Sequence, residues 1–217
     1  MTIFSLATKI FFREFRSGQL LLMFLSLSLA VGIVASITFF TDRLDGSLMM
    51  ESKQFLGGDL KYESDTPLDV SSFPNGNYSY ASIYEFGSVL GSSKKFQLAS
   101  VKSVSPPYPL IGEFEILKEY DEQVLETNPP KLGKVWLDTR LANLLEVTIN
   151  DTINIGEKEF SISGIILAES DRGAGSFAFA PKAIMNSSDL EEANVIQPGS
   201  RVRYSYVFVG SQEAIKL

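Results

Sequence analysis

Residues 20–40 read LLLMFLSLSLAVGIVASITFF, and no charged side chain occurs between Arg16 and Asp42. At about 1.5 Å per residue, a helix of this length spans about 30 Å, the thickness of a bilayer's hydrocarbon core. Thirteen of these residues are Leu, Ile, Val or Phe. At roughly −0.3 to −0.6 kcal/mol each, they favour insertion by about 4–8 kcal/mol. Ser28, Gly32 and Ser36 recur at every fourth position and so share one helix face. Such a face allows close helix packing in lipid, or it merely dilutes the apolar run. Ala30-Val31-Gly32 offers a small-x-small cleavage triplet, but the run continues undiminished to Phe40, which favours a retained helix over a cleaved signal peptide.

Working outward, Lys9, Arg13 and Arg16 precede this segment while Asp42 and Asp45 follow it. The positive-inside rule then puts the N-terminus in the cytoplasm and residue 42 onward outside. Within residues 1–19 the three basic residues share one helical face, and Phe4, Ala7, Phe11 and Phe15 share the opposite one, with Glu14 near the apolar side. This predicts an amphipathic helix on the cytoplasmic headgroups, turning at Ser17-Gly18 into the bilayer. Beyond the span, residues 41–57 keep a stripe of Leu44, Leu48 and Phe55 and end at Gly57-Gly58, a natural left-handed cap. We expect a helical stalk that carries motion from the bilayer; a separate short helix packed on the domain would transmit none.

The chain of 217 residues has a net charge of −7 and neither cysteine nor histidine. Disulfides, thiol nucleophiles, Cys/His zinc sites and imidazole-based triads are therefore excluded. The first nineteen residues carry about +2, which leaves about −9 on the remainder. An acidic domain of this kind has no electrostatic footprint for nucleic acid and is repelled by anionic headgroups.

From residue 58 onward, strand patterns dominate. Asp59–Glu63, Tyr78–Val89, Lys95–Val104, Thr152–Ile155, Glu159–Ile166 and Arg201–Val209 alternate or run apolar with β-branched and aromatic residues. Thr152–Ile155 and Glu159–Ile166, joined through Gly156-Glu157-Lys158, predict a hairpin. In Arg201–Val209, residues Val202, Tyr204, Tyr206 and Phe208 fall on one face. One helix is expected over residues 136–146, WLDTRLANLLE, burying Leu137, Leu141, Leu144 and Leu145. Pro106-Pro107 and Pro129-Pro130 mark loops. The fold class expected is an α+β extracytoplasmic domain on one N-terminal transmembrane helix with a helical stalk.

Candidate chemistry is sparse. Gly173-Ala174-Gly175-Ser176-Phe177-Ala178 matches the dinucleotide fingerprint, but four residues separate it from the preceding strand and the alternating FAFAP follows. The required strand-to-helix turn is missing, so a glycine-rich loop is the sounder expectation. Gly133-Lys134 is followed by Val135, which breaks the phosphate-loop pattern. Asp65 with Asp69, Glu113 with Glu115, and Asp121 with Glu122 are acid pairs that glycosidase chemistry would need in one pocket, and surface carboxylates are the expectation. No catalytic, cofactor-binding or metal-binding residue is assigned.

The order of parts, with FFREFRSGQLLLMFLSLSLAVG, FFTDRL leading to QFLGGDL, YPLIGEFEIL, VWLDTRLANLLEVTINDTINIG and GAGSFAFAPKAIMNSSDLEEANVIQPGSRVRYSY, resembles the N-terminal portion of FtsX-like, MacB-type ABC transporter permeases, YbbP-like branch. These matches cover nearly the whole chain. The resemblance implies a cytoplasmic segment (1–19), a transmembrane helix (20–40), a stalk (41–57) and a MacB-like periplasmic core domain (58–217) in a bacterial inner membrane. It further implies no enzymatic activity or cofactor, a cytoplasmic ABC ATPase partner, membrane lipids as neighbours, and a homodimer or pseudo-dimer. By mechanotransmission such proteins move lipids, lipoproteins or other hydrophobic substrates. Family members continue into further membrane helices and an ATPase-docking element, so the chain is expected to be a fragment. The competing expectation is a single-pass anchored binding or sensory domain, which a stop codon after Leu217 would favour.

Overall fold

The computed structural model describes residues 3–16, 18–69, 77–119, 122–169 and 179–210. The chain divides into two compact units, Met1–Met50 and Glu51–Leu217. In the first, α1 (Ile3–Arg16) is followed by Gly18 at φ +84° and then by α2 (Gln19–Leu56), a helix of 38 residues that runs on into the second unit. The apolar side chains from Leu21 to Phe40 are exposed along this helix, as a lipid-facing surface requires. Its hydroxyls bond their own backbone: Ser26 Oγ donates to Met23 O and Thr38 Oγ1 to Val34 O, both at 2.9 Å. At about 57 Å, α2 exceeds a hydrocarbon core by about 27 Å, and it is continuous through the segment expected as a stalk. Leu44, Leu48 and Phe55, the expected stripe, are 45–54% exposed.

The second unit is a mixed sheet of ten strands: β1 (Leu60–Ser64), β2 (Tyr78–Gly91), β3 (Phe96–Val104), β4 (Phe114–Leu117), β5 (Gln123–Glu126), β6 (Lys134–Asp138), β7 (Thr152–Ile155), β8 (Lys158–Glu169), β9 (Lys182–Asn186) and β10 (Val202–Gly210). Their spatial order is β1-β10-β2-β3-β9-β6-β8-β4-β5, with β7 bridging β8 and β2. That bridge closes a ring of pairings: β2 to β3, β9, β6, β8, β7 and back to β2 through Leu90 opposite Ile155. The β3–β9 and β6–β8 pairs are parallel, and the other pairs in the ring are antiparallel.

Two cores follow from the period-2 alternation of these strands. Phe86, Val101, Leu137, Phe160, Ile162 and Met185 form the first, together with α3 (Thr139–Leu145). Intervening residues such as Ile83, Trp136 and Ile184 join Tyr108, Phe114 and Ile116 in the second. Strands covered on both faces read as continuous apolar runs, as KVWLD and KAIMN do.

The helix expected over 136–146 is therefore shorter. Trp136 and Leu137 belong to β6, and α3 buries Leu141, Ala142 and Leu145, while Leu144 is 38% exposed. Asp138 sets the boundary: its backbone is extended (φ −69°, ψ 158°), and its Oδ1 accepts from Leu141 N at 2.5 Å. This N-cap ends the strand and starts the helix in one residue. The β7–β8 hairpin forms with Ile155 opposite Lys158, so its connection is Gly156-Glu157. In β10 the one-faced pattern gives way to burial on both faces at Ser205, Tyr206, Val207 and Phe208.

Candidate functional site

The last turn of α2 is clamped within the second unit by capping and ion-pair chemistry. Gly57 has φ +70°, and the Gly57 and Gly58 amides donate to Gln54 O and Lys53 O, both at 3.1 Å. These bonds satisfy carbonyls that a helix end otherwise leaves open. Lys53 Nζ lies 2.8 Å from Asp59 Oδ1, while the Asp59 amide donates to Phe208 O at 2.8 Å. The Gly210 amide donates to Asp59 Oδ2 at 3.2 Å. The Lys53 hydrogen bond, aided by the Gly210 amide and the Lys53 charge, outweighs burial and holds the Asp59 carboxyl below the usual range. A Cβ on Gly58 would lie 2.3 Å from Val207 Cγ1, so the chain passes against β10 where only glycine fits.

On its other side, the cap meets residues 105–112. Gly57 O accepts from Ile111 N at 3.0 Å, and a Cβ on Gly57 would sit 3.2 Å from Tyr108 Cε2. Tyr108 is fully buried, its ring centroid 5.9 Å from that of Phe114. Its hydroxyl accepts from Lys102 Nζ at 2.9 Å, with the ammonium 4.8 Å from the ring centre. Lys102, on β3, is itself buried and ion-paired to Glu169 at the end of β8. Lys182 Nζ reaches the other oxygen of Glu169 at 2.7 Å. Ser100 lies opposite Lys182 in the parallel β3–β9 pair, so Lys102 stands two residues along on the same face.

One carboxylate thus bridges two ammonium groups in the interior. Burying each ion costs several kcal/mol, which only close pairing and full hydrogen bonding offset. The result is a polar tie between strands β3, β8 and β9, joined through Tyr108 to the cap of α2. The Lys102–Glu169 partners lie 67 residues apart in sequence, so no local spacing could have revealed them.

Glu113 and Glu115 border one open cleft of about 520 Å³ with Gln54, Leu125 and Glu169. The structure brings this acid pair to the edge of one open cleft, with Glu113 exposed and Glu115 half-buried. Glu169, the third carboxylate there, is held by the two lysines, and no group of three or more acids among the described residues could hold a metal ion. Asp65 and Asp69 are exposed. Asp121 and the motif Gly173–Ala178 lie outside the described residues. Gly133 lies in the turn just before β6, its amide donating to the Asp189 carboxylate at 3.0 Å.

No family model matches the chain. A 212-residue stretch, 94% of the chain, is 32% identical to an uncharacterized ABC transporter permease, YbbP, of Escherichia coli K12. The chain is a relative of the YbbP permease. It spans about a quarter of that protein's length, the matched share being 25%. The YbbP-related chain also aligns with the extracellular domain of the ABC-type transporter YknZ from Gram-positive bacteria, at 6% identity and TM-score 0.44 over 67% of this chain and 72% of that one. With the periplasmic region of MacB from Actinobacillus actinomycetemcomitans, the identity is 14% and the TM-score 0.39, over 65% and 60% of the two chains.

Proposed function

We propose that the chain is the anchored, extracytoplasmic part of an ABC permease subunit that passes motion from a cytoplasmic partner ATPase to the sheet domain. The observation that carries this reading is the 32% identity to a permease over 94% of the chain. In this reading residues 20–40 cross the bilayer with the N-terminus in the cytoplasm. Residues 41–57 act as a stiff stalk, and residues 58–217 form the domain that the stalk moves. The clamped cap at Gly57-Gly58 supports it, because a helix end fixed by capping bonds, an ion pair and two tight glycine contacts passes force instead of absorbing it. The cargo would be lipids, lipoproteins or other hydrophobic molecules, moved by a homodimer or pseudo-dimer that does no chemistry of its own. The exposed face of Ser28, Gly32 and Ser36 is where a further membrane helix would pack closely.

Because the chain has no cysteine, single-cysteine variants report topology directly. In intact cells a membrane-impermeant maleimide is expected to label Ser93→Cys and to reach Ser5→Cys only after permeabilisation. From the same cells, the full-length protein carrying this chain is expected to retain an ABC ATPase on purification. Labelling in the opposite order, or purification free of any ATPase, would contradict the proposal.

A further inference from the structure

We propose that the domain carries a binding site for a small organic anion, one with a phosphate or carboxylate head and an apolar body, in the cleft over Trp136. This open cleft has a volume of about 500 Å³, within the range of small-molecule sites, and lies away from the α2 cap. Its floor is apolar: Trp136 is 4% exposed, and Pro129 and Pro130 are buried. Its rim holds Lys118, Lys131 and Lys134, supplied by three separate segments: the end of β4, the loop after Pro130 and the start of β6.

Charge decides the class of ligand. The domain as a whole is strongly acidic, yet here three ammonium groups face one carboxylate, Glu126. Glu126 is ion-paired to Lys118, so it does not offset the other two lysines. Lys134 Nζ is 3.4 Å from Ser161 Oγ, a long contact to a neutral hydroxyl, and Lys131 is exposed. Ser163 and Asn128 add neutral hydrogen-bonding groups to the lining. A cleft with an excess of positive charge and low-dielectric walls focuses its field on its contents and selects an anion. The apolar floor selects one that carries hydrocarbon. Free inorganic phosphate meets the first demand and not the second.

Trp136 is the chain's single tryptophan, so its fluorescence reports occupancy of this cleft. The full chain in phosphatidylcholine nanodiscs is titrated with hexyl phosphate, hexanoate, hexyl glucoside and inorganic phosphate. One of the two amphiphilic anions is expected to change the emission saturably, with a Kd at least about ten-fold below those of hexyl glucoside and inorganic phosphate. Which of the two binds more tightly identifies the head group. Lys131→Glu with Lys134→Glu is expected to raise that Kd by at least about ten-fold. Lys131→Glu alone, at an exposed position, gives a smaller rise and keeps the test readable if the double variant misfolds. The proposal is overturned by no saturable change, by hexyl glucoside binding as tightly as the anions, or by unchanged anion affinity in the Lys131→Glu protein.

Discussion

Replacing Glu169 by alanine is expected to cost the sheet domain about 3–5 kcal/mol, the range for breaking one side of a buried ion pair. Glu169 bridges Lys102 and Lys182, so its loss removes the carboxylate between two like charges on adjacent strands. The Lys182 side chain is 18% exposed and can turn toward water, but that of Lys102 is 1% exposed and cannot. Burial, and not the count of bonds lost, therefore sets the size of the effect. Replacing both members of the tighter pair, Lys102→Met with Glu169→Leu, is expected to bring stability back to within about 1 kcal/mol of the native protein or above it, because two desolvation penalties disappear with the attraction. Urea unfolding of the full chain in nanodiscs, followed by Trp136 fluorescence, measures both. A Glu169→Ala loss below about 1 kcal/mol, or a double variant as unstable as the single one, would show that the buried charges do not tie these strands together.

Gly156→Ala is expected to cost about 2–4 kcal/mol, summing left-handed strain and overpacking. Gly156 has φ +61° in the β7–β8 turn, and a Cβ there would lie 2.0 Å from the backbone oxygen of Ala193. That oxygen also accepts from Glu157 N at 2.9 Å, so it cannot retreat without losing a bond. Gly133 supplies the comparison inside the same protein, with φ +68° and nothing within 4 Å of its Cβ position. Gly133→Ala pays the conformational strain alone, about 1 kcal/mol. Equal losses at the two glycines would mean that the turn is not pressed against Ala193. The hairpin matters beyond its own turn, because β7 closes the ring by pairing with β2.

Local signals carried much of this fold into the sequence. The uncharged run at 20–40, the double glycine at 57–58 and the β7–β8 hairpin each depend on neighbours a few residues apart, and each element was legible. Leu137 was misassigned because its spacing from Leu141 and Leu145 fits a helix, while the Asp138 cap that divides strand from helix depends on backbone geometry. The strand KAIMN is buried on both faces between β3 and β6, so it shows no alternation to detect. Closure of the ring through Leu90 and Ile155 joins residues 65 apart, beyond any local pattern. At the candidate site, the cap was legible and the polar tie was not. Lys102 reads as one more residue in an alternating strand, and its partners Tyr108 and Glu169 are set by topology.

The central claim, that α2 drives the sheet domain through its clamped end, is tested most directly by amide hydrogen exchange in the full-length protein assembled with its ATPase. Exchange at Gly57, Gly58, Asp59 and Ile111 is expected to differ between ATP- and ADP-bound assemblies, because the Gly57 and Gly58 amides close the cap on α2, while those of Asp59 and Ile111 tie it to β10 and to residues 105–112. A flexible Gly/Ser insertion between Asp45 and Glu51 is expected to abolish that difference while leaving the ATPase bound. The same nucleotide-dependent difference persisting in the insertion variant would contradict the claim.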